Sequence, residues 1–166
     1  MKKIFIVLLS ICSTMVMAKS EPSSSTSKRT HLSAGHKLFK VSIPDNKDKK
    51  AILSVIDTYI EGLRLGRVDL LKKSFYKDAI MYGFSAENEI TEGSVQHLYN
   101  IIEKDGALSK VTSVNSILHQ TANTASVLAE LKNTSPNHNS TDYLSLMKIK
   151  GEWKIISKVY HLSHAK

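Results

Sequence analysis

An aspartate and a histidine near the end of the chain are the first candidates for acid–base chemistry. The dipeptide Lys150-Gly151 has the composition of a two-residue hairpin loop, and such a loop would place Asp142 opposite Val159. On that register Asp142 and His161 are diagonal neighbours on one face, within reach of each other's side chains. A carboxylate beside an imidazole favours the charged ring and fixes its tautomer, as a general base requires. Asp142 and His161 are therefore the candidate catalytic residues, although the same pair could simply satisfy two polar groups at the open end of a fold.

Aromatic residues are the second feature that could serve a chemical function. Six of them fall on positions predicted to face an apolar interior: Tyr59, Phe75, Tyr82, Phe84, Tyr99 and Trp153. A mostly apolar cavity with one or two convergent polar groups is the usual form of a small-molecule site. We expect these side chains, with His119 as a further polar contact, to bind a ligand. The simpler alternative is that most of them only fill a core.

The histidines also raise the question of a metal site. His161 and His164 are three residues apart in a predicted strand, so their side chains point to opposite faces and could share one ion only if the strand had already ended. His97 or His119 would have to supply a third ligand. The sequence predicts no metal site, and because it has no Gly-rich phosphate loop it predicts no cofactor.

The spacing of apolar residues predicts three helices in the first half of the domain. The first runs from an N-cap at Asp45 to a stop at Gly66, with apolar residues three and four apart along one stripe. Shorter helices are predicted over residues 68–75 and 94–104. Between them, the residues Ala-Ile-Met-Tyr-Gly-Phe that follow Asp78 predict a strand that enters the apolar interior. Beyond Gly106, segments rich in β-branched and aromatic residues predict strands bounded by turns: residues 111–120, 124–132, 142–149 and 152–162. Together they predict an α+β fold in which helices cover one face of a curved antiparallel sheet.

The first 44 residues are predicted to lie outside this domain. Residues 1–18 have the Lys-led, apolar composition of a secretory signal peptide, which predicts secretion across the inner membrane of a bacterium into the periplasm. Their apolar run is too short to span a membrane. Residues 19–44 are rich in Ser, Thr and Lys and predict a disordered linker, which leaves residues 45–166 as the domain.

The net charge of +8 belongs mainly to the leader and linker. Residues 1–50 hold 10 Lys and Arg against 3 Asp and Glu, a balance of +7, whereas residues 51–166 hold 13 against 12, a balance of +1. A basic surface interleaved with aromatic residues, which nucleic-acid binding would need, is absent from the domain sequence. The charge pattern therefore indicates no nucleic-acid partner.

Several segments resemble one known family. The sequence is similar to the nuclear transport factor 2-like superfamily and, within it, to the family called putative lumazine-binding. The residues that carry the resemblance are Tyr59–Leu63, Ser74–Phe84, Glu92-Gly93, Asp142-Tyr143 and Gly151–Ala165. The resemblance implies a cone-shaped, cystatin-like α+β barrel of three N-terminal helices packed on a bent sheet around a pocket.

Ketosteroid isomerases share this superfamily and use a carboxylate base together with a tyrosine and a protonated aspartate. The resemblance aligns Tyr59 with that tyrosine. Gly83 stands at the position of the base and Ser145 at that of the protonated acid, so the resemblance argues against isomerase activity here.

The function expected from these observations is that of an exported domain that binds a small, flat, partly polar organic molecule. We expect a homodimer formed through the outer face of the sheet, on which alternation places Lys158 and Tyr160 beside Tyr143. Two alternatives remain open. One is a SnoaL-like cyclase, dehydratase or isomerase with Asp142 and His161 as general base, and the other is a periplasmic protein-interaction module that docks on the outer face.

Overall fold

The helices form from the amphipathic segments that the sequence indicates. In the computed structural model, which describes residues 46–165, the chain forms α1 (Asn46–Leu65), α2 (Val68–Ser74) and α3 (Gln96–Asp105). The end of α1 is the predicted one: Gly66 has φ 66°, and the amides of Gly66 and Arg67 donate to the carbonyls of Leu63 and Gly62. Gly106, with φ 83°, follows the last residue of α3.

Six strands form one sheet within the described part of the chain. They are β1 (Phe75–Phe84), β2 (Ile90–Ser94), β3 (Thr112–Gln120), β4 (Thr124–Ser135), β5 (His138–Ile149) and β6 (Glu152–His164). The strand order is β2-β1-β6-β5-β4-β3, and every pairing is antiparallel except that of β1 with β6, which is parallel. The short edge strand β2 has no counterpart in the sequence prediction.

The predicted α+β class is confirmed, with the helices on one face of a curved sheet. Apolar side chains of the three helices and of the inner sheet face form a common core. Its fully buried members include Ile52, Ile56, Leu71, Ile102, Val127, Leu131, Leu144, Leu146 and Ile155. Burial of this apolar surface is the main force that holds the helices against the sheet.

A bulge between β5 and β6 changes which side chains face the core. Leu146 pairs with Ile155, whereas Ser145, the residue before Leu146 on β5, pairs with Ser157. Ile156 therefore has no partner on β5. Because side chains alternate along a strand, one extra residue moves every later side chain of β6 to the other face.

This bulge makes the predicted contact between Asp142 and His161 wrong. Asp142 pairs with Tyr160 rather than with Val159. Lys158 and Tyr160, predicted on the outer face, are buried on the inner one, whereas Val159 is 52% exposed and His161 is also exposed. The carboxylate and the imidazole therefore lie on opposite faces of the sheet.

The predicted leader (residues 1–18), the linker (residues 19–44) and the N-cap at Asp45 lie outside the described residues. In the part that is described, none of the helices is both long enough and apolar enough to cross a membrane.

Candidate functional site

A cavity of about 530 Å³ lies between the helices and the inner face of the sheet. Its walls are mainly apolar and come from α1, α3, the segment after α3, and strands β1, β4, β5 and β6. The apolar and aromatic lining residues are Tyr59, Leu63, Met81, Leu98, Ile101, Ile102, Ala107, Leu108, Leu131, Pro136, Tyr160 and Leu162. The polar ones are Asp105, Thr134, Ser135, Ser140 and Lys158. A volume of this size suits a small organic molecule.

Four buried polar residues, here called the Asp142 cluster, meet at this cavity: Tyr59, Ser140, Asp142 and Lys158. The Lys158 ammonium lies 2.8 Å from Asp142 Oδ2 and donates to the Tyr59 hydroxyl at 2.8 Å. The Tyr59 hydroxyl in turn donates to Asp142 Oδ2 at 2.8 Å, and the Ser140 hydroxyl donates to Asp142 Oδ1 at 2.5 Å. Asp142 is 0% exposed and Lys158 6%. The carboxylate is thus satisfied by three donors in a site shielded from water.

The contacts within the Asp142 cluster leave an N–H group of Lys158 available to a ligand. An ammonium has three N–H groups; Lys158 donates one of them to the Tyr59 hydroxyl, and Asp142 lies beside the ammonium as its counter-ion. Lys158 also lines the cavity, so a remaining N–H is within reach of a ligand there. The site is therefore suited to a ligand with a carbonyl or an anionic oxygen.

Two aromatic rings hold the ammonium in place. Lys158 Nζ lies 4.8 Å from the centre of the Tyr160 ring and 5.4 Å from that of Tyr59, both within the range of cation–π attraction. Tyr160 fits because residue 83 is glycine: a Cβ at Gly83 would lie 2.5 Å from Tyr160 ring atoms. The Tyr160 ring thus fills the space that a side chain at residue 83 would need.

Tyr59 is held in its neutral form. Burial of its hydroxyl, together with the adjacent charge of Asp142, raises the pKa of Tyr59 well above the usual 10. The hydroxyl therefore remains a hydrogen-bond donor at any physiological pH.

A second depression, of about 560 Å³, is more open and lies where the start of α1 meets the β5–β6 hairpin. The Asp48 carboxylate accepts hydrogen bonds from Lys148 Nζ at 2.7 Å and from Trp153 Nε1 at 3.1 Å. The bond from Lys148 lowers the pKa of Asp48. These contacts join the helix to the hairpin, and the depression is lined largely by charged side chains. We therefore place the candidate site in the more apolar cavity beside the Asp142 cluster.

Comparison with known proteins agrees with this architecture. The family model described as putative lumazine-binding matches residues 47–161. The chain belongs to this family. Similar solved structures include a nuclear transport factor 2-like protein of unknown function from Shewanella baltica, with 22% identity over 75% of this chain and 100% of that one and a TM-score of 0.65. Another, from Methylobacillus flagellatus, has 24% identity over 74% and 96% of the two chains and a TM-score of 0.67. At these identities the likeness shows the fold.

A curated relative is similar in sequence as well. It is the protein named aldolase FrzH from a Cladobotryum species, 28% identical over 111 residues, which make up 67% of this chain and 88% of the relative.

In this member of the putative lumazine-binding family, the predicted site residues are distributed over several places. Tyr59 and Asp142 meet in the Asp142 cluster. Phe75 and Tyr99 are buried behind the cavity: Phe75 packs edge-on against Tyr59 at 5.3 Å and against Tyr99 at 6.5 Å. Burial raises the pKa of Tyr99 to about 12. Trp153 is buried too, but beside Asp48 at the other end of the fold.

The remaining predicted residues lie away from the cavity. Tyr82 and Phe84 were expected to face the interior, and this is wrong, because alternation along β1 buries Met81 and leaves their side chains 45% and 44% exposed on the outer face. His119 is exposed on β3, as His161 is on β6.

Sequence reasoning missed Ser140, Lys158 and Tyr160 as site residues. Lys158 and Tyr160 follow the bulge at Ile156, for which the sequence offers no turn residue as a signal. Ser140 was missed because the strand was predicted to begin only at Asp142, whereas β5 begins at His138. Gly83, which makes room for Tyr160, was the one available clue to a close contact inside the sheet.

Proposed function

We propose that the protein binds a small organic molecule in the cavity, with the apolar body of the ligand against the walls and an oxygen acceptor at Lys158. The observation that carries this proposal is the buried ion pair of Lys158 with Asp142 at the wall of a mainly apolar cavity. Burial of two charges costs more in desolvation than their attraction commonly returns, so such a pair is a weak source of stability. A polar ligand in the cavity would accept a hydrogen bond from the Lys158 ammonium.

The test must separate loss of binding from loss of folding. Lys158→Met alone would leave Asp142 as a buried, unpaired charge, and the protein could unfold for that reason. The double variant Lys158→Met/Asp142→Leu replaces the whole pair by apolar groups and is expected to fold. Lys154→Met is the matched control, because Lys154 lies on the same strand but contacts Lys73 and Glu152 outside the cavity.

The binding measurement uses thermal shift and native mass spectrometry against flavins, pterins and aromatic carboxylates and ketones. We expect at least one class to stabilise the wild type and the Lys154→Met control, and to have no effect on the double variant. Failure of every class to bind the wild type, or equal binding by the double variant, would contradict the proposal.

A second candidate function is catalysis on a carbonyl compound, and two observations favour it. The curated relative is named an aldolase, and the cavity wall carries a buried ammonium, Lys158, that the Tyr59 hydroxyl and the Asp142 carboxylate hold in position. A hydrogen bond from Lys158 to a carbonyl oxygen would stabilise the enolate that forms when solvent water takes a proton from the α-carbon. In its ion pair with Asp142, Lys158 acts as a donor to the carbonyl rather than as a nucleophile. An Asp142–His161 base is not part of this mechanism, since His161 faces the other side of the sheet.

Enolate formation has a direct readout. Ketones and aldehydes that bind in the first assay should exchange their α-hydrogens for deuterium in D₂O, as followed by NMR, with the wild type and Lys154→Met but not with the double variant. Binding without exchange would leave the protein as a binding domain. Capture of a reduced imine on Lys158 by borohydride would show a nucleophilic lysine and refute the donor mechanism.

We also propose a homodimer through the outer sheet face. Its exposed apolar side chains are Ile80, Tyr82, Phe84, Tyr143, Met147 and Val159. Tyr82 and Tyr143 both pair with Val159 on neighbouring strands, so these three side chains are adjacent on that face. Light scattering should show a dimer that Tyr143→Lys converts to a monomer. A monomeric wild type would contradict the dimer, and a foreign chain crosslinked to this face would favour the interaction-module alternative.

Export is proposed from the leader sequence alone. The chain recovered from a periplasmic fraction should have lost residues 1–18 by intact mass. Recovery of the uncleaved chain from the cytoplasm would contradict this proposal.

A further inference from the structure

Two histidines and a glutamate converge at one end of the sheet, outside the cavity. Glu87 lies in the turn between β1 and β2, His138 begins β5, and His164 ends β6. One potential ligand atom from each lies within 4.8 Å of the other two. Neither His138 nor Glu87 is among the metal ligands expected from the sequence, where His164 was considered together with His161.

Strand topology explains why residues so distant in the sequence meet here. β1 runs parallel to β6 and pairs Phe84 with His161, so the turn that follows β1 lies beside the last residues of β6. β5 runs antiparallel to β6 and pairs His138 directly with His164. The backbone therefore places all three residues at the same end of the sheet.

We propose that Glu87, His138 and His164 bind a divalent transition-metal ion, with zinc as the best match. Two imidazoles and one carboxylate form a common zinc donor set, and it leaves a fourth position for water or another ligand. Donor atoms around a tetrahedral zinc lie roughly 3.4 Å apart, given metal–ligand distances of about 2.1 Å. Glu87 and His164 are exposed, so small side-chain rotations can bring the three atoms from 4.8 Å to that spacing.

The surroundings of His138 prepare it for this role. Its Nδ1 lies 2.8 Å from the Pro136 carbonyl oxygen and 2.9 Å from the Ser135 hydroxyl. A proton on Nδ1, donated to the carbonyl, leaves the lone pair on Nε2 for a metal. Metal-binding histidines commonly donate their other ring N–H to a carbonyl in this way, which fixes the ring's tautomer and orientation.

The two imidazole rings also lie close together. Their centres are 5.0 Å apart and the planes are tilted by 40°. The end of β6 is held near by a hydrogen bond of 2.7 Å from the Ala165 amide to the Asn137 carbonyl. The proximity of the rings is therefore built into the backbone, as a metal site requires.

The site is next to the rim of the cavity but does not depend on a cavity ligand. Ser135 and Pro136, which contact His138, both line the cavity. Zinc would connect the β4–β5 turn to the β1–β2 turn at this rim. The inference goes beyond the proposed function and stands or falls independently of it.

The experiment is a zinc titration of the full chain by isothermal calorimetry after treatment with EDTA and dialysis. The variants are Glu87→Gln, His138→Gln and His164→Gln, with His119→Gln as the matched control because His119 is exposed on a distant strand. Loss of an outer contact to a metal ligand costs roughly 10–100-fold in affinity, so loss of a ligand itself should weaken binding by at least about tenfold. The control should bind as the wild type does.

Cobalt provides a second readout that depends on coordination. Co²⁺ added to the wild type should give the visible absorption of a low-coordinate site, and His164→Gln should abolish it. The proposal is overturned if the wild type binds no zinc, if the three variants bind it as tightly as the wild type, or if substitution of His31 and His36 in the N-terminal segment removes all binding.

Discussion

Removal of Lys158 tests whether the ion pair of the Asp142 cluster is buried as tightly as the structure shows. In Lys158→Met the apolar part of the side chain is kept and the charge is lost. Asp142, which is 0% exposed, keeps its hydrogen bonds from Tyr59 and Ser140 but loses the cation with which it is paired. Removal of one partner of a buried ion pair costs about 3–5 kcal/mol in the free energy of unfolding.

Replacement of both partners predicts a different result. In Lys158→Met/Asp142→Leu no buried charge remains, and exchange of buried pairs for apolar groups of similar volume is commonly neutral or stabilising by about 1–4 kcal/mol. Tyr59 and Ser140 lose their acceptor in this variant, at a cost of about 1–3 kcal/mol for each buried group left without a partner. At the middle of these ranges the two unpaired groups cost about 4 kcal/mol and the exchange of the pair returns about 2 kcal/mol. The double variant should therefore lose about 2 kcal/mol, less than the loss of about 4 kcal/mol expected for the single variant.

The assay is urea unfolding followed by circular dichroism, in which equal m-values allow midpoints to be compared as stabilities. Lys77→Met is the matched control, because Lys77 forms an ion pair with Asp78 in which both side chains are mostly exposed, and it should leave the midpoint unchanged. The reasoning would be refuted if Lys158→Met shifted the midpoint no more than this control did. It would also be refuted if the double variant were markedly less stable than the single one.

Three further predictions concern the same region. Gly83→Ala should destabilise the fold by about 1–3 kcal/mol and reduce ligand uptake, because its Cβ would collide with Tyr160, and urea unfolding and thermal shift measure the two effects. The pKa of Tyr59 is raised in the folded state, so as the pH rises past 10 the hydroxyl loses its proton in the unfolded chain before it does so in the folded one. The free energy of unfolding of the wild type should therefore fall above pH 10 more steeply than that of Tyr59→Phe. Urea midpoints measured against pH test this. Ser140→Ala removes a donor to the Asp142 carboxylate and should cost about 1–3 kcal/mol by the same assay, and an unchanged midpoint would show that water replaces the hydroxyl.

The helices and most of the strands could be predicted because each depends on local pattern. The stripe that contains Ile52, Ile56 and Leu63 on α1 repeats at helical spacing, and glycines in the left-handed region mark two helix ends. The short edge strand β2 was not predictable in this way, since its pattern of Ile-Thr-Glu-Gly-Ser has little apolar content. It forms because β1 offers it a free edge.

The candidate site could be predicted only in part because it depends on register. Tyr59 could be predicted because it lies on the apolar stripe of a helix. Asp142 could be predicted because it precedes the bulge and keeps the orientation that simple alternation along a strand gives it. Lys158 and Tyr160 follow the bulge, where one unpaired residue reverses the alternation. The convergence of Glu87 with His164 depends on the parallel pairing of β1 with β6, which joins segments about 75 residues apart and leaves no local signal.

Two of the lysine–aspartate pairs in the described residues, Lys148 with Asp48 and Lys158 with Asp142, have nearly equal distances but different surroundings. Lys148 and Asp48 are 2.7 Å apart with 29% and 17% of their side chains exposed, and they connect a helix start to a hairpin. Lys158 and Asp142 are 2.8 Å apart and almost fully buried, yet their elements are already joined by strand pairing and by the apolar core. The first pair therefore has a structural role, and its desolvation cost is small because both side chains remain partly exposed to solvent. The second pair has a large desolvation cost, and the function we propose for it is to present the Lys158 ammonium to a ligand in the adjacent cavity.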